Sequence, residues 1–310
     1  MVLAVLKRLG LLAATMLVVS LVVFLLLEAT PSSVAIKVIG PYTTAEQQQL
    51  WLEQNGYLRP VGERYVEWLG RFLTGDFGES IRFKAPVAEV LWPRLWNTAI
   101  LGLTALAVIA PCSILLGVIA GIREGSPADR SISVASIVTT SLPEFASAVF
   151  LAGVFVFWLA WLPGTSSMAE GWDWRQLVLP VAVLVLYDLG YVARMTRASM
   201  VEVMATAYVR TAVLKGLSRA RVITHHALRN ALITPFTVLT LHINWLLSGV
   251  IVVEAFFAYK GFGALLLEAS LNQDIYLIEA CTMVAVLVAV ATQALADIGY
   301  RLLNPRLRGT

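Results

Sequence analysis

Cysteine and histidine are almost missing from this chain. It has two of the first (Cys112 and Cys281) and three of the second (His225, His226 and His242) in 310 residues. Both cysteines fall in long apolar runs and no CxxC occurs, which excludes a disulfide framework. His225 and His226 are adjacent and cannot share one helical face, and His242 stands apart, so no metal-ligand cluster forms. No GxxxxGK[ST] loop is present, so the chain lacks a phosphate cradle of its own. Neither a nucleophilic triad nor a paired-acid site is visible. Charge is scarce too. Charged residues make up 14% of the chain, against roughly 25% in a soluble domain. The net charge is only +3, and the basic residues lie between apolar runs, which argues against a nucleic-acid partner.

What is present is hydrophobic: 58% of residues, with a mean hydropathy of +0.77. These residues come in runs long enough to cross about 30 Å of hydrocarbon at about 1.5 Å per helical residue. The reading is an all-α polytopic membrane protein, in contact with lipid, with six transmembrane helices. Lys7 and Arg8 precede an apolar run from Leu9 to Leu27 that lacks a small-residue cleavage site after it, so it reads as an uncleaved first span. Further spans are expected near Asn97–Ala120, Ile132–Trp161, Leu177–Met195, Leu232–Phe257 and Tyr276–Tyr300. Residues 28–96 are mixed in character, with seven basic and eight acidic side chains. Tyr65, Trp68, Leu69 and Phe72 recur at helical spacing there. This stretch reads as a small, partly helical elaboration on the outer mouth.

Basic residues set the orientation. With the N-terminus inside, the inner segments hold Lys7, Arg8, Arg123, Arg130, seven basics of one central loop, and Arg301, Arg306 and Arg308. The short outer loops hold only Arg175 and Lys260. Both termini are then cytoplasmic. Trp158, Trp161, Trp172 and Trp174 bracket the outer ends of two spans, as interfacial aromatics do. Pro111, Pro143, Pro180 and Pro235 break, bend or start helices, and Gly117 and Gly121, four residues apart, would permit close helix contact.

The central loop, Arg194 to Asn230, carries seven basic residues and one acid, Glu202. Met200, Val203, Met204, Ala207, Tyr208 and Thr211 fall near one helical face. Gly216 after Lys215 suits a left-handed helix stop, and Ser218 can cap a second helix, Arg219 to Asn230. Two readings stay open from periodicity alone: a rigid helix–turn–helix that receives a push from a soluble partner, or a basic loop that only fixes topology. Glu144, Asp188 and Glu254 lie within or near spans, where an acid is costly unless it faces protein or water. Glu144 and Asp188 are the candidates for a translocation path; a structural partnership is the alternative for each.

The run from Ala205 to Ser218, ATAYVRTAVLKGLS, followed by HALRNALITP at His226 to Pro235, resembles the EAA loop of binding-protein-dependent ABC importer permeases. The branch serving dipeptide, oligopeptide, glutathione, nickel and opine uptake is the most similar. Gly75-Asp76-Phe77-Gly78, Arg94 to Thr98, Ser141 to Phe145, Trp161-Leu162-Pro163, Leu179-Pro180, Ile251 to Phe257 and Gly261-Phe262-Gly263 resemble further segments of that branch. Departures are Leu214-Lys215-Gly216 for the usual Ala-Lys-Gly, and Thr30-Pro31-Ser32-Ser33 for a frequent Pro-Gly-Asp-Pro.

The resemblance implies a type I permease fold with a MetI-like core: residues 1–96 as first span and external segment, 97–300 as a five-helix core with a coupling loop at 196–231, and 301–310 as a cytoplasmic tail. It implies that Ala205, Ala207 and Tyr208 lie on a coupling helix that contacts an ATPase subunit, with Arg210 and Lys215 in the same coupling stretch and Gly216 as the loop glycine at its turn. It also implies a second homologous permease, two nucleotide-binding subunits that hold ATP and Mg, and an external substrate-binding protein. On this reading the chain is no enzyme and holds no cofactor. It sits in the bacterial cytoplasmic membrane and passes peptides or related small polar solutes. The rivals are an ion-driven secondary transporter, which should show inverted repeats, and a scaffold that anchors partners without flux.

Overall fold

The computed structural model describes residues 2–28, 30–169 and 171–303; side chains at 2–9, 11, 242–249 and 295–303 fall outside that description. The orientation markers Lys7, Arg8, Arg301, Arg306 and Arg308, and also His242, therefore lie outside the described side chains. In chain order the helices are α1 (Val2–Glu28), α2 (Pro31–Ile39), α3 (Ala45–Gln54), α4 (Val61–Leu73), α5 (Val87–Ile122), α6 (Pro127–Ser141) and α7 (Glu144–Ala152). A π-helical turn (Gly153–Trp158) follows, then α8 (Arg175–Met204), α9 (Ala207–Leu214) and α10 (Arg219–Arg221). A second π-helical turn (Val222–Ala227) leads to α11 (Leu228–Ala231), α12 (Ile233–Phe256), α13 (Phe262–Leu271) and α14 (Ile275–Leu303). Among the described residues there is no strand beyond one isolated bridge, Glu79 with Pro86.

Among the described residues three helices are long and apolar enough to cross a membrane: Val87–Ile122, Arg175–Met204 and Ile275–Ala294. The count reaches five if each of two bent pairs is one span, Leu12–Glu28 with Pro31–Ile39 and Pro127–Ser141 with Glu144–Trp158. The remaining expected span coincides with α12. Where a span was expected at Ile132–Trp161, with Pro143 as a point of bending, α6 and the helix after it meet at 102°. The cause is local. Pro143 disfavours helical geometry at its predecessor, and Leu142 is extended at φ −84°, ψ 125°. Two hydroxyls of the last turn fold back on the helix, Thr140 donating to Ser136 O at 2.8 Å and Ser141 to Ile137 O at 2.8 Å, a back-bonding that often accompanies bent helices.

The chain divides into two compact units. The first joins residues 1–97 to 261–291. Within it α4 shows the expected helical spacing: Tyr65, Trp68 and Phe72 stack in sequence, with Phe24 of α1 against the first two. Arg64 and Glu28 form a buried pair at 3.0 Å, and Tyr57 also donates to Glu28 at 2.8 Å. Burial and the neighbouring Glu28 carboxylate push the Tyr57 hydroxyl pKa up, so it stays a donor at physiological pH. Asp274 accepts from Ser80 Oγ at 2.6 Å and from the Arg82 amide at 3.0 Å, tying the 80–86 turn to the start of α14.

The second unit comprises residues 98–260 and 292–310. Its centre is α8, packed against α6, α7 and α12. The core holds Leu101, Ala105, Ile109, Leu179, Val183, Leu184, Val192, Val250 and Val253. Gly117 and Gly121 do what their spacing suggested. A Cβ on Gly117 would lie 2.4 Å from Thr196 Cβ and 2.5 Å from Ala193 O, and one on Gly121 would lie 2.5 Å from Met200 Cβ. Only glycine lets α5 approach the α8 backbone this closely. Trp158, Trp161, Trp172 and Trp174 are exposed, as rings at a lipid–water boundary would be.

Candidate coupling surface and path residues

The central loop is a compact hairpin. Its boundaries differ from the sequence reading: α8 runs on to Met204, so Arg194 and Arg197 belong to a long helix rather than to a loop. Nor do Met200 through Thr211 share one continuous helical face. The helix stops at Ala205, Thr206 turns extended at ψ 152°, and α9 begins anew at Ala207. Thr206 Oγ1 donates to Val203 O at 2.6 Å, closing the end of α8.

α9 presents two sides. Val209 and Ala212 are buried at 2% and 4% exposure, packed with Met200, Val222, Ala227 and Ala231 and with Val118 and Ile122 of α5. Burying one such valine is worth about 1.5–3 kcal/mol, so this short helix is held by its tertiary contacts rather than by its own propensity. Ala205, Ala207, Tyr208, Arg210, Lys215 and Gly216 are all exposed. Gly216 has φ +76°, the left-handed conformation expected after Lys215. Ser218 occupies the N-cap position of α10, but its side chain makes no capping bond. Asn230 Nδ2 donates to Tyr208 Oη at 2.8 Å, and Arg219 Nη2 donates to Ile122 O at 3.0 Å. Both ends of the hairpin are thus tied down.

A second clamp was not anticipated. Arg197 of α8 holds Asp129 in a bidentate pair, Nε to Oδ1 and Nη2 to Oδ2, the latter at 2.8 Å. Asp129 is 2% exposed. It also accepts the Gly125 amide at 2.9 Å and Ser133 Oγ at 3.3 Å. Ser126 in turn caps α6, its Oγ accepting from the Asp129 amide at 3.2 Å. The Ser126-Pro127-x-Asp129 pattern is a legible helix start. Its pairing with a residue 68 positions away is not legible in one sequence.

Glu144 sits half-buried in the first turn of α7, at the bend, where a carboxylate favours the helix N-terminus. Asp188 is fully buried on α8. The two carboxylates interact electrostatically, so the fold brings together the two acids singled out in the sequence. Glu254 is fully buried and accepts a hydrogen bond from Thr98 Oγ1. Among the described residues no group of three His, Cys, Asp or Glu side chains could hold a metal ion.

Long apolar helices, one pair meeting at a sharp bend, and a short anchored hairpin between α8 and α12 describe a multi-pass membrane protein. The chain belongs to the family of binding-protein-dependent transport system inner membrane components, whose model matches residues 113–309. It is 33% identical to a Brucella abortus (strain 2308) protein named as a candidate peptide transport system permease, over 98% of each chain. It is 31% identical to the oligopeptide transport system permease AppB of Bacillus subtilis (strain 168), over 93% of this chain and 94% of that one. It is 32% identical to the glutathione transport system permease GsiC of Shigella flexneri serotype 5b, over 98% of each chain. A solved amino acid ABC transporter crystallised with histidines shares the fold, with a TM-score of 0.53 at 14% identity, over 69% of this chain and 94% of that one. The chain is therefore a multi-pass, membrane-embedded permease subunit of an ABC importer that couples to a cytoplasmic ATPase, and ATP is hydrolysed in separate subunits.

Proposed function

We propose that this subunit forms half of a translocation path for peptides or related small polar solutes. Six spans enclose the path jointly with a second, homologous permease. The five from residue 97 to 300 make the core, the first span packs beside it, and both termini face the cytoplasm. Two nucleotide-binding subunits hold ATP and Mg, and an external binding protein delivers cargo. The names of the relatives similar along nearly the whole chain support the cargo class.

The observation that carries the coupling reading is the two-sidedness of α9. Val209 and Ala212 are buried, while Ala205, Ala207, Tyr208, Arg210, Lys215 and Gly216 stay exposed on a hairpin tied at both ends. An anchored surface can transmit a push; a loop that only fixed topology would need no buried side. Glu144 and Asp188, coupled across α7 and α8, are assigned to the path, where a charge costs least if it meets water or a polar cargo.

The test is uptake by proteoliposomes holding the complete complex. Labelled dipeptide, oligopeptide, glutathione and nickel are supplied in turn with the binding protein, with and without internal ATP. ATP-dependent peptide accumulation is expected, together with cross-linking of Tyr208→Cys to an ATPase subunit. Uptake driven by an ion gradient without ATP would point to a secondary transporter and refute the reading, and assembly without any flux would leave only a scaffold.

A further inference from the structure

The hairpin is fixed to two neighbouring helices. Arg219 Nη2 donates to Ile122 O, at the end of α5, at 3.0 Å. Ser199 Oγ of α8 donates to Ala231 O at 3.0 Å. α5 and α8 in turn approach each other closely at Gly117 and Gly121. Hairpin, α5 and the inner half of α8 are thus bound into one body, and α6 joins that body by a different route.

Beside the first turns of α6 an apolar cleft of about 320 Å³ opens, lined by Leu116 of α5, Ile132 and Ala135 of α6 and Leu189 of α8. Across such a gap most dispersion contacts are lost. The inner half of α6 is held against α8 at two points. One is Gly190, where an added Cβ would lie 2.7 Å from Ser136 O. The other is the bidentate pair of Arg197 with buried Asp129, Nη2 to Oδ2 at 2.8 Å. Asp129 and Ser136 stand about 10 Å apart along the helix, and the bend at Leu142–Pro143 lies about 9 Å beyond Ser136, at about 1.5 Å per residue. α6 is therefore a lever on the Gly190 contact, with the Arg197 pair at one end and the bend at the other.

We propose that Arg197 and Asp129 are positioning residues for coupling: their fork makes the inner end of α6 move with α8 and the hairpin, so that a push on the hairpin reaches the bend at Pro143. This rests on the hairpin being the coupling surface. The short turn at 123–126 only tethers the inner end of α6; the fork sets its direction. Two parallel N–H···O bonds fix an orientation, whereas an ammonium is a point charge about which the helix can turn. Stability alone does not need that geometry, since a lysine at the same position would also neutralise the buried acid.

Spin labels at two exposed positions, Thr224→Cys on the hairpin and Pro127→Cys at the start of α6, report the distance between them by electron paramagnetic resonance. The background carries Cys112→Ala and Cys281→Ala, and the complete complex is held in nanodiscs with and without a non-hydrolysable ATP analogue. With Arg197 and Asp129 intact, the distance distribution should be the same in both states. Arg197→Lys should broaden it and make it shift with nucleotide. In proteoliposomes that variant should also lower uptake of the accumulated labelled solute about tenfold relative to ATP hydrolysed, the ratio that one lost charge-assisted hydrogen bond implies. Should Arg197→Lys not fold, Asp129→Asn is nearly isosteric, removes one arm of the fork and carries the same expectations. A clamp that served stability alone would shift thermal unfolding and leave the distance and the uptake ratio unchanged, and that result overturns the proposal. So does a distance that changes with nucleotide while the pair is intact. Absence of the Tyr208→Cys cross-link to the ATPase is a separate failure, which removes the coupling reading and this proposal together.

Discussion

Placing a methyl group on Gly117 tests the helix contact on which the second unit is built. The new Cβ would stand 2.4 Å from Thr196 Cβ and 2.5 Å from Ala193 O, where ordinary contact begins near 3.4 Å. The carbonyl is backbone and cannot rotate away, so α5 and α8 must part by about 1 Å locally. Overpacking of this kind costs about 1–3 kcal/mol. Replacing glycine by alanine within a helix returns about 0.5–1 kcal/mol, which leaves a net loss centred on about 1 kcal/mol and reaching about 2.5 kcal/mol where the helices cannot part. Gly102 is the internal control. It lies on the same helix, and a Cβ there meets nothing within 4 Å. Gly102→Ala should therefore stabilise, by about 0.5–1 kcal/mol. Thermal unfolding of the purified complex in nanodiscs, followed by tryptophan fluorescence, should move in opposite directions for the two variants. Gly117→Ala with Gly121→Ala should cost less than the sum of the two, because one separation of the helices relieves both clashes. If Gly117→Ala and Gly102→Ala behaved alike, the close approach of α5 to α8 would be wrong.

Three shorter predictions follow from other contacts. Asp129→Ala strands a bidentate arginine and frees the Gly125 amide; a loss of about 3–5 kcal/mol is expected, seen as faster proteolysis within the 123–130 turn. Gly216→Ala forces a side chain into a backbone at φ +76° but meets no neighbour; it should cost about 1 kcal/mol and reduce ATP-driven uptake while leaving subunit assembly, measured by pull-down, intact. Asp76 accepts from Arg71 Nε and from the Gly78 amide, and these bonds hold its carboxyl below the usual aspartate range. A depressed folded pKa means its stabilising contribution is present above the unfolded value, about 3.9, and is lost as pH falls through the folded value. Amide exchange at residues 74–78 should rise only in that acid window, and Asp76→Asn should abolish the dependence.

Much of the membrane architecture follows from composition and period alone. Long apolar runs must be helices, because the bilayer offers no partner for a free backbone group. The recurrence of Tyr65, Trp68 and Phe72 every third or fourth residue places them on one side of α4 before any neighbour is known. The left-handed turn at Gly216 and the helix start at Ser126 are local events, set by one or two residues, and they too are legible. So is the bend after Ser141, in part: Pro143 marks the break, while its 102° angle depends on what α6 and α7 pack against.

Tertiary structure decided the rest. Six spans were expected from hydropathy; among the described residues three helices are both long and apolar enough to cross a membrane, and two more candidates are bent pairs. Hydropathy measures how apolar a stretch is and says nothing of whether it is straight. The reading of Met200 to Thr211 as one helical face failed for a related reason: periodicity continued across Thr206, but that residue turned extended so that Val209 and Ala212 could reach the core beneath α8. Arg197 counted only as one more positive charge until the fold set Asp129 against it. Gly190, with no small residue at a telling spacing to mark it, proved to face Thr139, whose Oγ1 would lie 2.4 Å from a Cβ placed there. Local rules act over a few residues and survive in the sequence; which acid meets which base, and which glycine another helix needs, are questions of distance that only the packed chain can answer.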